Sequence, residues 1–309
     1  MKKKRFNKRV IKENLQLGAM TLPAMVIYAL FSYLPMFGVV LAFKNYKVSK
    51  GILGSDWAKP IFKNFRFFLE SQDAFRVTRN TILLNLLFIT FCTMASVIFA
   101  LLMYEVKKAR QVKVYQTVSI LPSFLSWVAV SYIVYALLDT DKGVINQIIQ
   151  FFGGEAIPWY IRAEYWPVIL LLVRIWHGVG LGSIMYYASL MGIDSELFEA
   201  AEMDGATKLQ RTIYVTIPQL VPLIIIMVVL DIGKIFRADF GLFYNVTRNV
   251  GELYPTTDVM DTYVFRALME SGNITLSSAA SVIQSIVCTI TLVTTNAIVK
   301  KISPENALF

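Results

Sequence analysis

The sequence is poor in charge, histidine and cysteine, and it lacks every common phosphate-loop and hydrolase motif. Only 17% of its 309 residues are charged, against ~25% in average soluble domains. One histidine, His177, excludes a histidine-rich metal site, and no metal ligand set is expected. The two cysteines, Cys92 and Cys288, both fall in apolar runs and read as small buried residues, not as a disulfide or a metal centre. No GxxxxGK[ST] phosphate loop is present. Gly233-Lys234 is followed by Ile235, and no glycine-rich cradle precedes it. The chain therefore does not hydrolyse ATP by that route. GxSxG and HExxH are missing too, which leaves a membrane-embedded glycan or lipid enzyme without a catalytic pair.

What is present is apolar length. Hydrophobic residues make up 56% of the chain, gathered in runs of about twenty or more, the length a bilayer core requires. These runs predict an all-α integral membrane protein with six spans, at about 16–43, 78–103, 114–138, 165–192, 216–235 and 274–299. The first apolar stretch is too long for a removable signal peptide and is expected to be retained. Pro23 and Pro35 are positioned to kink it, and Pro122 sits near the start of span three.

Six spans place both termini on one side. The segments assigned inside hold 15 basic residues in 58 positions, and those assigned outside hold 12 in 98. This density puts both termini in the cytoplasm. The expected layout is a basic cytoplasmic N-terminus over 1–15, a transmembrane domain over 16–299 with an inner loop at 193–215, and a cytoplasmic tail at 300–309. The formal charge of +9 is then a matter of topology and contact with anionic membrane lipid, with no nucleic acid implied.

The inner loop and the start of span five read EAAEMDGATKLQRTIYVTIPQLVP, from Glu199 to Pro222. Asp194 or Ser195 is placed to cap a helix, and Glu196 sets an anion in its first turn. Gly205 suits the left-handed turn that ends helices, and Thr207 with Gln210 forms a capping-box pattern for a second start. The stretch thus predicts helix, glycine turn, helix. Leu197, Ala200 and Ala201 share one side of the first helix, where small residues allow close approach to a partner's groove.

This loop resembles the EAA loop of binding-protein-dependent ABC importer permeases. Glu199, Ala200, Ala201, Asp204, Gly205, Ala206, Ile217 and Pro218 match that pattern in register, while Thr212 stands where the family often has an aromatic. The stretches LPAMVIYALFSYLPMFGVVLAFKNY, LPSFLSWVAVSYIVYALL, GVINQ, IWHGVGLGSIMYYASLMGID and DTYVFRALMESG resemble the LplB-like subgroup of complex-oligosaccharide permeases. The resemblance implies a type I importer fold and a transporter subunit, not an enzyme, in the plasma membrane of a Gram-positive bacterium. It implies a second homologous permease, two cytoplasmic ATPases that bind ATP and magnesium, and an extracellular lipoprotein that delivers the oligosaccharide. It also implies alternating access, with Glu199, Ala200, Ala201, Asp204, Gly205 and Ala206 coupling to an ATPase and 236–273 meeting the binding protein. An ion-coupled secondary sugar carrier is the alternative, but it has no use for this pattern.

Polar residues within the spans are the other candidates. Arg174 and His177 lie three apart in span four, and Asp231 and Lys234 three apart in span five. Charges at that depth cost several kcal/mol unless paired or wet. Two readings stand side by side, a polar lining of the translocation path and an internal ion pair, Asp231 with Lys234. Ser277, Ser281, Gln284, Ser285 and Thr289 form a polar stripe on span six, suited to helix packing or to substrate contact. Gly178 and Gly182, with Gly180 and Ser183, predict a close helix crossing. Sugar faces call for aromatics, and Trp127, Tyr132, Tyr135, Trp176, Tyr186 and Tyr187 are candidates, the last two placed too far inward for the main cavity.

Overall fold

The computed structural model describes residues 8–302 and 304. The head, 1–7, and tail residues 303 and 305–309, on which part of the charge argument rests, lie outside the described residues.

Among the described residues, five helical stretches are long and apolar enough to cross a membrane, namely Leu15–Phe43, Gln72–Tyr104, Ala163–Leu190, Lys208–Ile232 and Ile274–Lys301. The expected third span is broken: Ala109–Phe124 and Trp127–Leu138 meet at 97°. The cause is local. Pro122 lacks the N–H that a continuing helix needs. Leu121–Phe124 tightens into a 3₁₀ turn, Leu125 is extended, and the Ser126 hydroxyl caps a new helix by accepting from the Ala129 N–H at 3.3 Å. The described residues therefore hold six candidate spans only if this bent pair counts as one.

The main helices are α1 (Lys8–Tyr28), α2 (Gln72–Tyr104), α3 (Ala109–Ile120), α4 (Trp127–Leu138), α5 (Trp166–Leu190), α6 (Ser195–Met203), α7 (Lys208–Arg211), α8 (Ile217–Ile232), α9 (Met260–Met269) and α10 (Ile274–Ile302). Prolines shape two of the spans in the same way. A π-turn at Ala29–Tyr33 precedes Pro35, and another at Thr212–Thr216 precedes Pro218. A proline ring clashes with the carbonyl four residues back, and widening that turn to i→i+5 relieves the clash. As a result α7, the π-turn and α8 form one continuous stretch, so the fifth span begins eight residues earlier than its hydropathy suggests.

The packing centre is α2 against α5. Gly180 makes α3 approach α5 very closely: a Cβ there would lie 2.1 Å from the Ser119 carbonyl oxygen. Gly182 sits against Ser96 of α2, whereas nothing lies within 4 Å of a Cβ built on Gly178. The close crossing thus uses Gly180 and Gly182, while Gly178 faces open space.

The segment 236–273, expected as a long outer loop, is folded and partly buried. It contains a π-turn at Leu242–Val246, a short helix at Tyr254–Thr257, and α9. Leu242, Phe243, Val246, Leu253 and Val259 are buried in one cluster with Val130, Val134, Trp166 and Leu170. The expectation of an all-α chain holds apart from one two-residue antiparallel ribbon, β1 (Lys44–Asn45) with β2 (Asp56–Trp57). Buried Lys44 holds that ribbon by donating to the Ile52 and Leu53 carbonyls, both at 2.9 Å.

Candidate functional site

Two features stand out, a projecting helix–turn–helix and a charged cavity between α2, α5 and the end of α8.

The projecting unit follows its sequence signals. Asp194 caps α6 by accepting from the Glu196 N–H at 3.0 Å. Gly205 adopts φ 75°, in the left-handed region. At Thr207 the capping box is complete: the Gln210 N–H donates to the Thr207 hydroxyl, and the Thr207 N–H donates to the Gln210 side chain at 2.8 Å. No residue of α6 is buried. Glu199, Ala200, Asp204 and Gly205 are exposed, with Ala201 and Ala206 half-buried. Met203 is 88% exposed and Leu197 43%, so this short helix offers both apolar and anionic surface to solvent.

The anchorage of the unit was not read from the sequence. Phe198 lies against Tyr104, with ring centroids 6.1 Å apart, and Lys208 pairs with Glu105 at 3.8 Å. Both contacts reach the end of α2. Arg211 pairs with Glu202 at 3.1 Å and ties α7 to α6. The signal was present: an aromatic and an acid end span two, and an aromatic and a base lie in the loop.

The cavity has two adjoining parts of ≈ 180 and ≈ 490 Å³ that share Cys92, Thr93, Arg174 and Asp231. Lys234 lines the smaller part, together with Asn85, Phe88, Ile89, Arg237 and Asp239. His177, Gly178 and Tyr186 line the larger. Arg174, His177, Asp231 and Lys234 are thus brought to one groove. Trp176 is 44% exposed and lines neither part. Gln284 is buried and stands outside the groove. Tyr186, expected too far inward, is part of the wall.

The ion pairing differs from the sequence reading. Asp231 and Lys234 form no ion pair among the described residues, whereas Arg174 pairs with Asp239 at 2.5 Å. Lys234 lies beyond α8, in the turn that ends it. His177 stacks on Trp127 with centroids 4.1 Å apart, and its Nε2 lies 3.1 Å from the Leu125 carbonyl at the break between α3 and α4. Arg174 also sits 6.0 Å over the Trp127 ring.

Beyond α8, successive peptide groups are held by side chains from elsewhere. Asn85 of α2 donates to the carbonyls of Ile235 at 2.7 Å and Arg237 at 3.1 Å. Gln284 of α10 donates to the Phe236 carbonyl at 2.6 Å. The Ala238 N–H donates to the Asp261 carboxylate at 2.7 Å, and Gln284 reaches the same oxygen at 3.1 Å. Burial pushes the Asp261 carboxyl above its ordinary range, opposed by those two hydrogen bonds. The role of Gln284 in the structure is therefore to fix this turn.

The comparisons with known proteins agree with this architecture. Residues 19–304 match the model of the family described as binding-protein-dependent transport system inner membrane component. The chain is 34% identical to the polygalacturonan/rhamnogalacturonan transport system permease protein YteP of Bacillus subtilis, over 98% of this chain and 94% of that one. It is 34% identical to protein LplB of the same organism, over 96% and 92% of the two chains. Among solved structures it resembles a chain of a bacterial ABC transporter that imports the acidic polysaccharide alginate, with a TM-score of 0.85 and 28% identity over 96% of this chain and 98% of that one. The same likeness holds to that transporter in complex with a periplasmic protein bound to an alginate pentasaccharide. This chain belongs to the family of binding-protein-dependent transport system inner membrane components, as a multi-pass permease subunit and not an enzyme.

Proposed function

We propose that this chain is one of two membrane subunits of an ATP-driven, binding-protein-dependent importer of oligosaccharides, working by alternating access. The observation that carries the reading is the projecting unit at the end of α2, an exposed α6 joined through Gly205 to a helix continuous with a span. A rigid rod with an uncovered tip is built to be pushed. In this reading the tip faces the cytoplasm and seats in a groove on one of two ATPase subunits, which alone bind ATP and magnesium. A second, homologous permease covers the faces of this chain that line the path. An extracellular lipoprotein delivers the sugar in the plasma membrane of a Gram-positive cell.

Mechanically, a push on α6 crosses the Gly205 turn and then passes through α7, the π-turn and α8 as one continuous stretch. It also passes through the Phe198–Tyr104 contact into α2. These two helices border the charged cavity, so movement at the tip alters the width of the groove. The oligosaccharide assignment rests on the named substrates of the relatives and on a cavity that mixes polar and aromatic walls.

The test uses the whole complex, purified from its own operon and reconstituted with its binding protein. Ala201→Glu or Gly205→Val is expected to abolish ligand-stimulated ATP hydrolysis while the subunits still co-purify. Gly205→Val adds backbone strain, since a φ of 75° costs a residue with a Cβ roughly 1–2 kcal/mol. Normal stimulated hydrolysis in both variants refutes the assignment of the tip. Uptake that needs no ATP points instead to an ion-coupled carrier.

A further inference from the structure

The cavity carries more cation than it neutralises. Arg174 is matched by Asp239. Lys234 and Arg237 also line the cavity, both are exposed, and neither is in an ion pair among the described residues. The one further carboxylate on the wall is Asp231. The cavity wall itself therefore holds two cations and one anion outside any ion pair, an excess of one positive charge, with Asp261 behind the turn, bonded to the Ala238 N–H and Gln284.

These two cations sit on the side-chain-clamped turn. Asn85 and Gln284 hold the carbonyls of Ile235, Phe236 and Arg237, and Asp261 holds the Ala238 N–H. Non-helical backbone at the end of a span has to find partners within the protein, and here α2, α9 and α10 all supply them. A turn fixed from three sides, with its cations facing a cavity, is preorganised for an anion. Phe88 and Ile89 of α2 add apolar surface to the same part of the cavity. That pairing of a cationic rim with an apolar wall fits a sugar ring that bears a carboxylate.

We propose that the turn Lys234–Arg237 is a carboxylate subsite of the translocation cavity, taking the uronate groups of acidic oligosaccharides as they pass. Arg237 offers the planar fork that matches a carboxylate, and Lys234 a compact point charge. A monoanionic carboxylate balances the excess charge, whereas a dianionic phosphate would be left facing Asp231. The inference rests on the importer reading above.

The experiment is ATP-dependent uptake by the complete complex in proteoliposomes. The probes are short oligogalacturonates and oligomannuronates, each compared with its methyl-esterified, uncharged form. Capture of each probe by the binding protein is measured separately, and wild type is compared with variant for the same probe. In Lys234→Gln/Arg237→Gln, uptake of an acidic probe is expected to fall about tenfold or more, the scale of one charge-assisted hydrogen bond, with esterified uptake unchanged. Lys234→Arg is expected to keep acidic uptake, which separates charge from packing. Equal loss of acidic and esterified uptake, or no loss of either, overturns the subsite and leaves the importer standing. So does a wild type that moves only uncharged sugars. If the defect vanishes in vesicles of zwitterionic phosphatidylcholine alone but persists when anionic phosphatidylglycerol is added, the turn binds an anionic lipid headgroup and the subsite is refuted. If wild type moves no probe with ATP and its hydrolysis answers to none, the importer reading falls first and the subsite with it.

Discussion

Gly180 and Gly178 differ by half a turn of helix, and the structure gives them opposite tolerances. A Cβ at Gly180 would lie 2.1 Å from the Ser119 carbonyl oxygen, and backbone cannot swing aside as a side-chain tip does. Gly180→Ala is expected to destabilise the complex by at least ~1–3 kcal/mol, the usual cost of overpacking. Gly178→Ala, with nothing within 4 Å of the new methyl, should leave thermal stability and co-purification unchanged. Thermal unfolding of the purified complex in detergent distinguishes the two. The sequence announced a close crossing through its run of small residues. It could not say which register the neighbour uses, because that depends on where α3 ends against Pro122. Asn85 illustrates a related limit. A lone amide in TILLNLLF marks a polar contact inside a span. Its targets, the carbonyls of Ile235 and Arg237, lie 150 and 152 residues away, and no local pattern encodes them.

At the scale of elements, the projecting unit was the most legible part because its signals are local. Asp194, Gly205 and the Thr207–Gln210 box each act within a few residues, and each stands in the structure as its chemistry demands. The anchorage to α2 was hidden because Tyr104 and Phe198 are distant in sequence and each is unremarkable alone. If their contact carries motion, Tyr104→Ala and Phe198→Ala should each lower the ratio of transport to ATP hydrolysis. The double variant should be little worse than either single one, since both remove the same pair, worth about 0.5–1.5 kcal/mol beyond simple burial. Additive losses would show that the rings act separately and that α8 alone conveys the push. The break between α3 and α4 was half legible. Pro122 was visible, but hydropathy averages over a bend and reports one straight span.

At the scale of the whole molecule, the segment 236–273 is held to the start of α2 by several polar contacts, among them a buried carboxylate. Asp258 is fully buried at its side chain and pairs with Arg266 at 2.5 Å and with Arg76 at 3.1 Å. Thr262 donates to it at 3.1 Å, and the Met260 N–H donates to Thr81 of α2 at 2.9 Å. Arg76 and Asp258 are 182 residues apart, so this node joins the beginning of the helical core to its last third. Asp258→Ala leaves Arg266 without its carboxylate partner, while Arg76 keeps only Asp73, at 2.8 Å. Breaking a buried pair on one side costs about 3–5 kcal/mol, so thermal stability of the complex should fall sharply. Asp258→Asn keeps an oxygen for Thr262 and Arg266 but not the charge, and should fall between. The consequence for transport follows from position. The node fixes α9, and the Asp261 carboxylate on α9 holds the Ala238 N–H in the turn that lines the cavity. Loosening Asp258 should therefore impair uptake even below the unfolding temperature, where the complex is intact and its subunits still co-purify. Uptake that stays normal until the complex melts would mean that the node serves stability alone, and that the cavity turn is held firmly enough by Asn85 and Gln284 without it.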